Sequence, residues 1–223
     1  MLLSLKSILN RLIKGRGITW QLRRNTQTKV EAIKTILQKI KVNSVLDIGC
    51  NAGEITRRLG EAGYFAVGVD KKLDFRGIIE PLNGICLGQI ECNIDLLDKL
   101  PQFDAILLLS VHHQMINIKG NEWTKQFVSK LAAKSNKIFL IEFSAKNSKY
   151  GKADGELFLD NDEKSVITYA ANWLKATLPN FNCLYVGKIL LKKGELSKGE
   201  PFRMLFQCLP KISETFYSST PKR

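Results

Sequence analysis

Asp47 lies within the apolar run Val45-Leu46-Asp47-Ile48 and is followed by Gly49-Cys50-Asn51-Ala52-Gly53-Glu54. Gly49 and Gly53 let a backbone pass close to a ligand, and Asn51 is one of the few other residues that tolerate positive φ. A second acid, Asp70, ends the run Phe65-Ala66-Val67-Gly68-Val69, 23 residues after Asp47. A carboxylate before the glycine loop suits a ligand that carries a positive ammonium group. A carboxylate at the next strand end can accept both hydroxyls of a ribose. The pattern fits neither a dinucleotide nor a nucleoside triphosphate. The G-x-G-x-x-G fingerprint would need glycines where Asn51 and Glu54 stand, and no G-K-[ST] follows. A nicotinamide-dependent reductase is disfavoured on that ground.

Further polar residues close later apolar runs. Cys92-Asn93-Ile94 follows the run from Ile85, and Asp95 competes with Asn93 for any role there. Ser110, His112 and His113 follow Phe103 to Leu109; these are the chain's two histidines, and either can serve as a general base near neutral pH. Their adjacency in an extended segment would let only one of them face a site, leaving the other to pack or to cap a helix. Glu142 ends the run from Lys137 and can act as a base, an orienting acid or a structural group. The polar stretch Ser144 to Gly151 that follows could hold an acceptor.

The elements that must position these residues alternate in the way a parallel α/β sheet requires. A helix over Thr28 to Lys39 carries Val30, Ile33, Ile36 and Leu37 on one face. The predicted strands are Val45–Ile48, Phe65–Val69, Ile85–Cys92, Phe103–Leu109 and Lys137–Phe143, with a weaker segment around Ile78 and Ile79. Helices fall at Glu54–Ala62, Glu122–Ala133 and Glu163–Leu178. Leu184–Leu191 and Arg203–Cys208 read as a closing hairpin. Strands separated by helices imply right-handed crossovers and a doubly wound, Rossmann-like sheet of about seven strands, with a C-terminal antiparallel hairpin and N-terminal helices. In such sheets ligands bind beyond the carboxyl ends of the strands, where the residues above stand.

The 223-residue chain has room for one ordinary domain, and its 44% hydrophobic and 25% charged content fits a globular protein. We expect a basic helical extension over residues 1–43, packing on or lidding a core over residues 44–223. The net charge of +13 is unevenly spread. Residues 1–44 hold ten basic side chains against one acid, whereas residues 45–183 hold 16 against 17. Residues 184–223 hold eight against three. Five cysteines with no C-x-x-C pair argue against a zinc module or a disulfide framework, so no metal is expected. A cytoplasmic location follows, with a peripheral position at the inner membrane surface as the alternative. Leu2 to Lys14 could be an amphipathic helix on an anionic membrane, and Trp20 among Arg16, Arg23 and Arg24 would suit RNA. Docking of that helix on the sheet accounts for the pattern equally well.

An adenosine with a cationic amino-acid tail satisfies both Asp47 and Asp70, which describes S-adenosylmethionine. Val45 to Gly53 resembles motif I of the class I S-adenosylmethionine-dependent methyltransferases in its D-x-G-C-N-x-G form. Asp70 is similar to that family's ribose-binding acid, and Asn93 to the residue beside its adenine amino group. Phe103-Asp104-Ala105-Ile106 resembles the family's F-D-x-[IV] fourth strand, and Leu109-Ser110-Val111-His112-His113 its L-S-V-x-H-H ending, one residue shorter. The resemblance spans about residues 40–210. It implies S-adenosyl-L-methionine as cofactor, bound by Asp47, Gly49, Cys50, Asn51, Gly53, Asp70, Asn93 and Ser110, with His113, His112 and Glu142 as catalytic candidates. The order of motifs through Ile116-Asn117, Ile141-Glu142 and Ser148-Lys149-Tyr150-Gly151 is distantly similar to the Bicoid-interacting-type RNA methyltransferases, whose Lys-Trp pair is replaced here by His113-Gln114.

No Asn/Asp-Pro-Pro-Tyr/Phe run and no Pro-Cys pair is present, which disfavours exocyclic amines and 5-methylcytosine and leaves O-methylation as the reading. The expected acceptor is a small molecule or an envelope-linked glycan or lipid. An RNA acceptor is the alternative within the class, and a non-catalytic binding subunit is the alternative outside it.

Overall fold

A computed structural model of the chain describes residues 25–72, 84–144, 163–190 and 202–211. The Leu2–Lys14 segment, Trp20 with its neighbouring arginines, Ile78-Ile79, residues 145–151 and the stretch linking the last two strands lie outside the described residues. In chain order the elements are α1 (Asn25–Lys39), β1 (Ser44–Ile48), α2 (Glu54–Glu61), β2 (Phe65–Asp70), β3 (Ile85–Gln89), α3 (Ile94–Lys99), β4 (Phe103–Leu108), α4 (His112–Lys119), α5 (Asn121–Ala132), β5 (Ser135–Ser144), α6 (Glu163–Thr177), β6 (Phe181–Leu190) and β7 (Phe202–Pro210).

The strands form one seven-stranded sheet in the order β3-β2-β1-β4-β5-β7-β6. The pairs β1–β2, β1–β4, β2–β3 and β4–β5 are parallel, and β7 is antiparallel to both β5 and β6. The doubly wound sheet and its C-terminal hairpin are therefore present. The antiparallel strand is β7, inserted between β5 and the edge strand β6. The order reverses between β1 and β4, the switch point at which such sheets open a crevice beyond their strand ends.

Strand β4 illustrates why the core forms. Ile106 and Leu108 face one layer, with Phe127, Val128 and Leu131 of α5 and Trp173 and Leu174 of α6. Ala105 and Leu107 face the other, with Val30, Ile33 and Leu37 of α1 and Ile55 and Leu59 of α2. A parallel strand covered on both sides is apolar where it is covered, and β4 is so from Ala105 to Leu108, while the half-buried Asp104 near its start pairs with Lys137. The expected helix at Thr28–Lys39 is thus α1, and its apolar stripe docks on the sheet.

Two short helices escape the sequence reading. Helix α3 has six residues, and the side chain of Asn93 caps it by accepting the Leu96 N–H at 2.8 Å. Helix α4 begins at His112, so the extended segment expected for His112-His113 is corrected. Successive side chains on a helix diverge by about 100° rather than 180°, and both histidines are buried at 1% exposure. His112 packs against Phe143 and Trp173, with ring centroids 4.3 and 4.6 Å away.

Burial, with His113 beside it, pushes the His112 pKa down to about 3. Burial and then Arg203 push His113 down to about 4, against an opposing pull from Glu142. Both lie below the unfolded value of about 6.5. The unfolded chain therefore binds protons that the folded chain does not, and stability is lost as pH falls below that value. Asp47, raised to about 6 by burial, works in the opposite sense. One carboxyl against two imidazoles leaves a net loss of roughly 1.4 kcal/mol per pH unit between about 6 and 4. The melting temperature is expected to drop from about pH 7 to about pH 5. His112→Phe, which keeps a ring in the aromatic packing, should flatten the drop. A calorimetric midpoint that does not move over this range would contradict the assignment of two neutral, buried imidazoles.

Candidate functional site

Asp47 is buried at the end of β1, and the Thr56 hydroxyl donates to its Oδ2 at 2.9 Å. Burial dominates its environment and raises its pKa to about 6, with the Thr56 hydrogen bond and Lys29 pulling the other way. The loop that follows reverses the chain through three left-handed residues, Gly49 (φ 76°), Asn51 (φ 53°) and Gly53 (φ 73°). The Gly49 and Cys50 N–H groups both donate to the Val69 carbonyl, at 2.8 and 3.1 Å, which ties the loop to β2. A Cβ on Gly49 would sit 2.3 Å from Val111 Cγ2, so only glycine fits where this loop meets the segment after β4. Gly68 is equally constrained, since a Cβ there would lie 2.5 Å from Thr56 Oγ1. Cys50 is buried under the loop, and burial pushes its thiol well above the usual range.

Asp70 is half-buried at the tip of β2. Its Oδ2 accepts the Asn51 N–H at 2.8 Å and its Oδ1 accepts the Lys72 N–H at 2.9 Å. Each carboxylate oxygen keeps lone-pair capacity for a hydroxyl donor. The glycine loop and the acid 19 positions beyond Asn51 are thus one hydrogen-bonded unit. Asn93 lies further along, after β3, which is the strand next to β2 in the sheet. Its side chain is exposed and its oxygen is engaged as the α3 cap, while Asp95 stands exposed in the first turn of that helix.

The second half of the site gathers beyond β4, β5 and β7. Ser110 takes φ 64°, a left-handed conformation rare outside glycine. Its hydroxyl donates to Glu142 Oε2 at 2.9 Å, and its carbonyl accepts Gln114 Nε2 at 2.9 Å. Glu142 has no exposure to solvent, and its Oε1 pairs with Lys29 Nζ at 2.7 Å. Burial acts to raise the Glu142 pKa. Lys29 and then Arg203 outweigh it, with the hydrogen bonds from Lys29 and Ser110, and hold the carboxyl below its usual value. His113 adjoins this group, in the field of both Arg203 and Glu142. Both of its buried ring nitrogens, and the Nε2 of His112, lack a hydrogen-bond partner.

The structure thus brings together Asp47, Gly49, Asn51, Gly53 and Asp70 on one side, and Ser110, His113 and Glu142 on the other. His112 instead belongs to the aromatic core. Both Glu142 oxygens are engaged and its charge is compensated. Two residues of the cluster escape the sequence reading. Arg203 opposes Ser144 across the β5–β7 pair and is buried. Lys29 belongs to α1, and its spacing does carry a signal. It lies four residues before Ile33 and eight before Leu37, on the stripe that docks against the sheet. A lysine there must either snorkel out or find a buried acid. Among the described residues, no three His, Cys, Asp or Glu side chains are arranged to hold a metal ion, and no helix is long and apolar enough to cross a membrane.

No protein-family model and no curated protein sequence matches the chain. Its fold is similar to several solved structures. The bifunctional kinase-methyltransferase WbdD matches with a TM-score of 0.62 at 18% identity, over 89% of this chain and 45% of WbdD. This chain therefore spans less than half the length of WbdD. The magnesium protoporphyrin IX methyltransferase ChlM from Synechocystis PCC 6803, with bound SAH, matches with a TM-score of 0.59 at 14% identity, over 92% of this chain and 94% of ChlM. The methyltransferase domain of bacterial CtHen1-CN matches with a TM-score of 0.54 at 13% identity, over 82% and 99%. With its seven strands in the order described, the chain has the fold of the class I S-adenosylmethionine-dependent methyltransferases.

Proposed function

We propose that this protein is an S-adenosylmethionine-dependent methyltransferase that modifies an oxygen atom of a small-molecule or envelope-linked glycan or lipid acceptor. The observation that carries the donor assignment is the locked unit of Asp47, the Gly49–Gly53 loop and Asp70 at the carboxyl ends of adjacent strands. That unit fits the donor, because the loop has no room for a Cβ at Gly49 and the half-buried Asp70 carboxylate retains lone pairs. Asp47 would favour the ammonium, Asp70 the ribose hydroxyls, Gly49 and Gly53 the close backbone approach, and Asn93 the adenine edge. When bound, the cofactor supplies a methyl group on a positively charged sulfur. A small-molecule acceptor is supported by the match to nearly all of ChlM, an enzyme named for one.

His113 is the residue that would meet the acceptor. Held at about 4, its pKa leaves the imidazole neutral near pH 7, with one N–H to donate and one lone pair to accept. Two buried ring nitrogens without partners carry a desolvation cost that an acceptor's oxygen would relieve. The low pKa suits an orienting hydrogen bond better than strong proton abstraction, so the chemistry favours a carboxylate or an acidic hydroxyl as nucleophile. Methyl transfer from a sulfonium needs chiefly alignment, which a neutral His113 and the Ser110–Glu142 pair would provide.

Titration calorimetry should detect micromolar binding of S-adenosylhomocysteine. Asp70→Ala is expected to weaken it by roughly 10-fold or more, since charge-assisted contacts are lost. His113→Asn should leave that affinity unchanged and lower methyl transfer on the order of 10²-fold. The acceptor is read out by tritium transfer from labelled S-adenosylmethionine into fractionated cell extract. Label in small solutes or in glycan or lipid supports the reading, and label in RNA overturns the acceptor class. Absence of binding at millimolar S-adenosylhomocysteine would sink the methyltransferase assignment altogether.

A further inference from the structure

A carboxylate with no access to water is stable as an ion only beside a counter-charge. Glu142 has one in Lys29, whose side chain is 12% exposed and whose Nζ lies 2.7 Å from Oε1. Lys29 comes from α1, the helix that precedes the whole sheet. The other Glu142 oxygen receives the Ser110 hydroxyl. Ser110 is left-handed, a conformation that a non-glycine residue keeps only where its surroundings impose it. The next residue, Val111, places its Cγ2 methyl where a Cβ on Gly49 would go. Physical contact therefore runs from α1 through Glu142, Ser110 and Val111 to the glycine loop, and the same segment opens α4 with its histidines.

Resting on the methyltransferase reading, we propose that Lys29 is a positioning residue of the transfer site: it keeps Glu142 ionised so that Glu142 holds Ser110, and through it Val111 against the donor loop. An ionised carboxylate only accepts hydrogen bonds, so it obliges the Ser110 hydroxyl to point at it. A protonated Glu142 could donate instead, and the left-handed turn would lose its anchor. Among the described residues, the charged and titratable groups around Glu142 are Lys29 from α1, Asp47 from β1, His113 from α4 and Arg203 from β7. Lys29 also lies in the field of Asp47, so α1 is electrically part of both halves of the site.

The test compares Lys29→Met, Lys29→Arg, Glu142→Gln and the Lys29→Met/Glu142→Gln double variant with the wild-type chain. Lys29→Met should raise the Glu142 pKa, so that its melting temperature falls as pH rises through the neutral range, a trend the wild type lacks. Its affinity for S-adenosylhomocysteine should fall roughly 10-fold, and Lys29→Arg should restore it. The double variant should be more stable than Lys29→Met, because it no longer buries an uncompensated charge, and it should not lose stability as pH rises through that window. The double variant carries the test on its own if Lys29→Met does not fold. Lys29→Met with wild-type affinity and pH profile, or a double variant destabilised by the sum of the singles, would overturn the role given to Lys29. A wild-type chain that fails to bind S-adenosylhomocysteine would instead overturn the methyltransferase reading.

Cys183 and Cys208 face each other directly across β6 and β7. The Lys211 N–H donates to the Asn180 carbonyl at 2.9 Å, one position outside the Phe181–Pro210 pair. Pairs alternate along an antiparallel ladder, so Asn182–Leu209 is hydrogen-bonded and Cys183–Cys208 is not. Pro210, which has no N–H, falls on the same non-bonded set. Such pairs bring Cα atoms to about 4.5 Å, within the range that disulfides span. Cys183 is partly exposed and Cys208 is buried. A hydrogen bond from Cys208 holds the Cys183 thiol below its usual pKa, the character of an attacking thiolate beside a resolving partner.

We infer that Cys183 and Cys208 are a redox-active dithiol that low-molecular-weight disulfides convert to a cross-strand disulfide. The Cys183 thiolate attacks a sulfur of oxidised glutathione and releases one glutathione thiolate. The buried Cys208 thiol is kept protonated by its hydrogen bond to Cys183 and by burial. It then passes its proton to the first glutathione thiolate as its sulfur attacks Cys183 and releases the second, so two protein thiols are oxidised as one glutathione disulfide is reduced. Incubation of the native chain with oxidised glutathione should lower its intact mass by two hydrogen atoms and yield a Cys183–Cys208 cross-linked peptide. Cys208→Ser should stop at a glutathione adduct on Cys183. A wild-type chain in which both thiols remain open to alkylation after denaturation would overturn the inference.

Discussion

A buried negative charge at the end of β5 organises the functional end of this molecule. Glu142 has no water around it, so its ionised form depends on what the protein places beside it. Lys29 supplies the counter-charge from a helix outside the sheet, Arg203 adds to it from β7, and Ser110 supplies the hydrogen bond from the end of β4. Elements remote from one another in sequence converge on one carboxylate, and each loses part of its reason to be there if that charge is removed. The left-handed Ser110 hydrogen-bonds to this carboxylate, and α4 begins two residues later.

The glycine-loop side obeys a different logic. It is built from backbone rather than from compensated charge. Two N–H groups of the glycine loop share the Val69 carbonyl, and a third, from Asn51, reaches the Asp70 carboxylate. The loop therefore arrives preformed, with its curvature set by three positive φ values and its clearance set by the missing Cβ of Gly49. Asp47 is held ready beneath it by Thr56. The two halves meet where Val111 crowds Gly49.

Much of this was legible in the chain itself. The apolar runs with Asp47, Asp70, Ser110 and Glu142 at or near their carboxyl ends are strands because residues covered on both faces are predominantly apolar, and a parallel sheet follows from the helices between them. The short helices α3 and α4 were not legible. One is a six-residue turn started by an Asn cap, and the other carries its two histidines inward where a polar exterior would be expected. The hairpin was legible, but the insertion of β7 between β5 and β6 was not, since strand order depends on which edge each element finds covered.

The glycine loop, the acid at the end of β2 and the class of sheet that presents them were set by the order of residues alone, because these depend on local backbone freedom and on periodicity. What Glu142 pairs with, that Lys29 reaches it from α1, that His112 is core while His113 borders the charged cluster, and that two unrelated-looking cysteines share a ladder position came from the folded arrangement. Pairings between residues far apart in the chain leave no local signature. They are set by burial, where an unpaired charge or donor costs too much to leave unmatched.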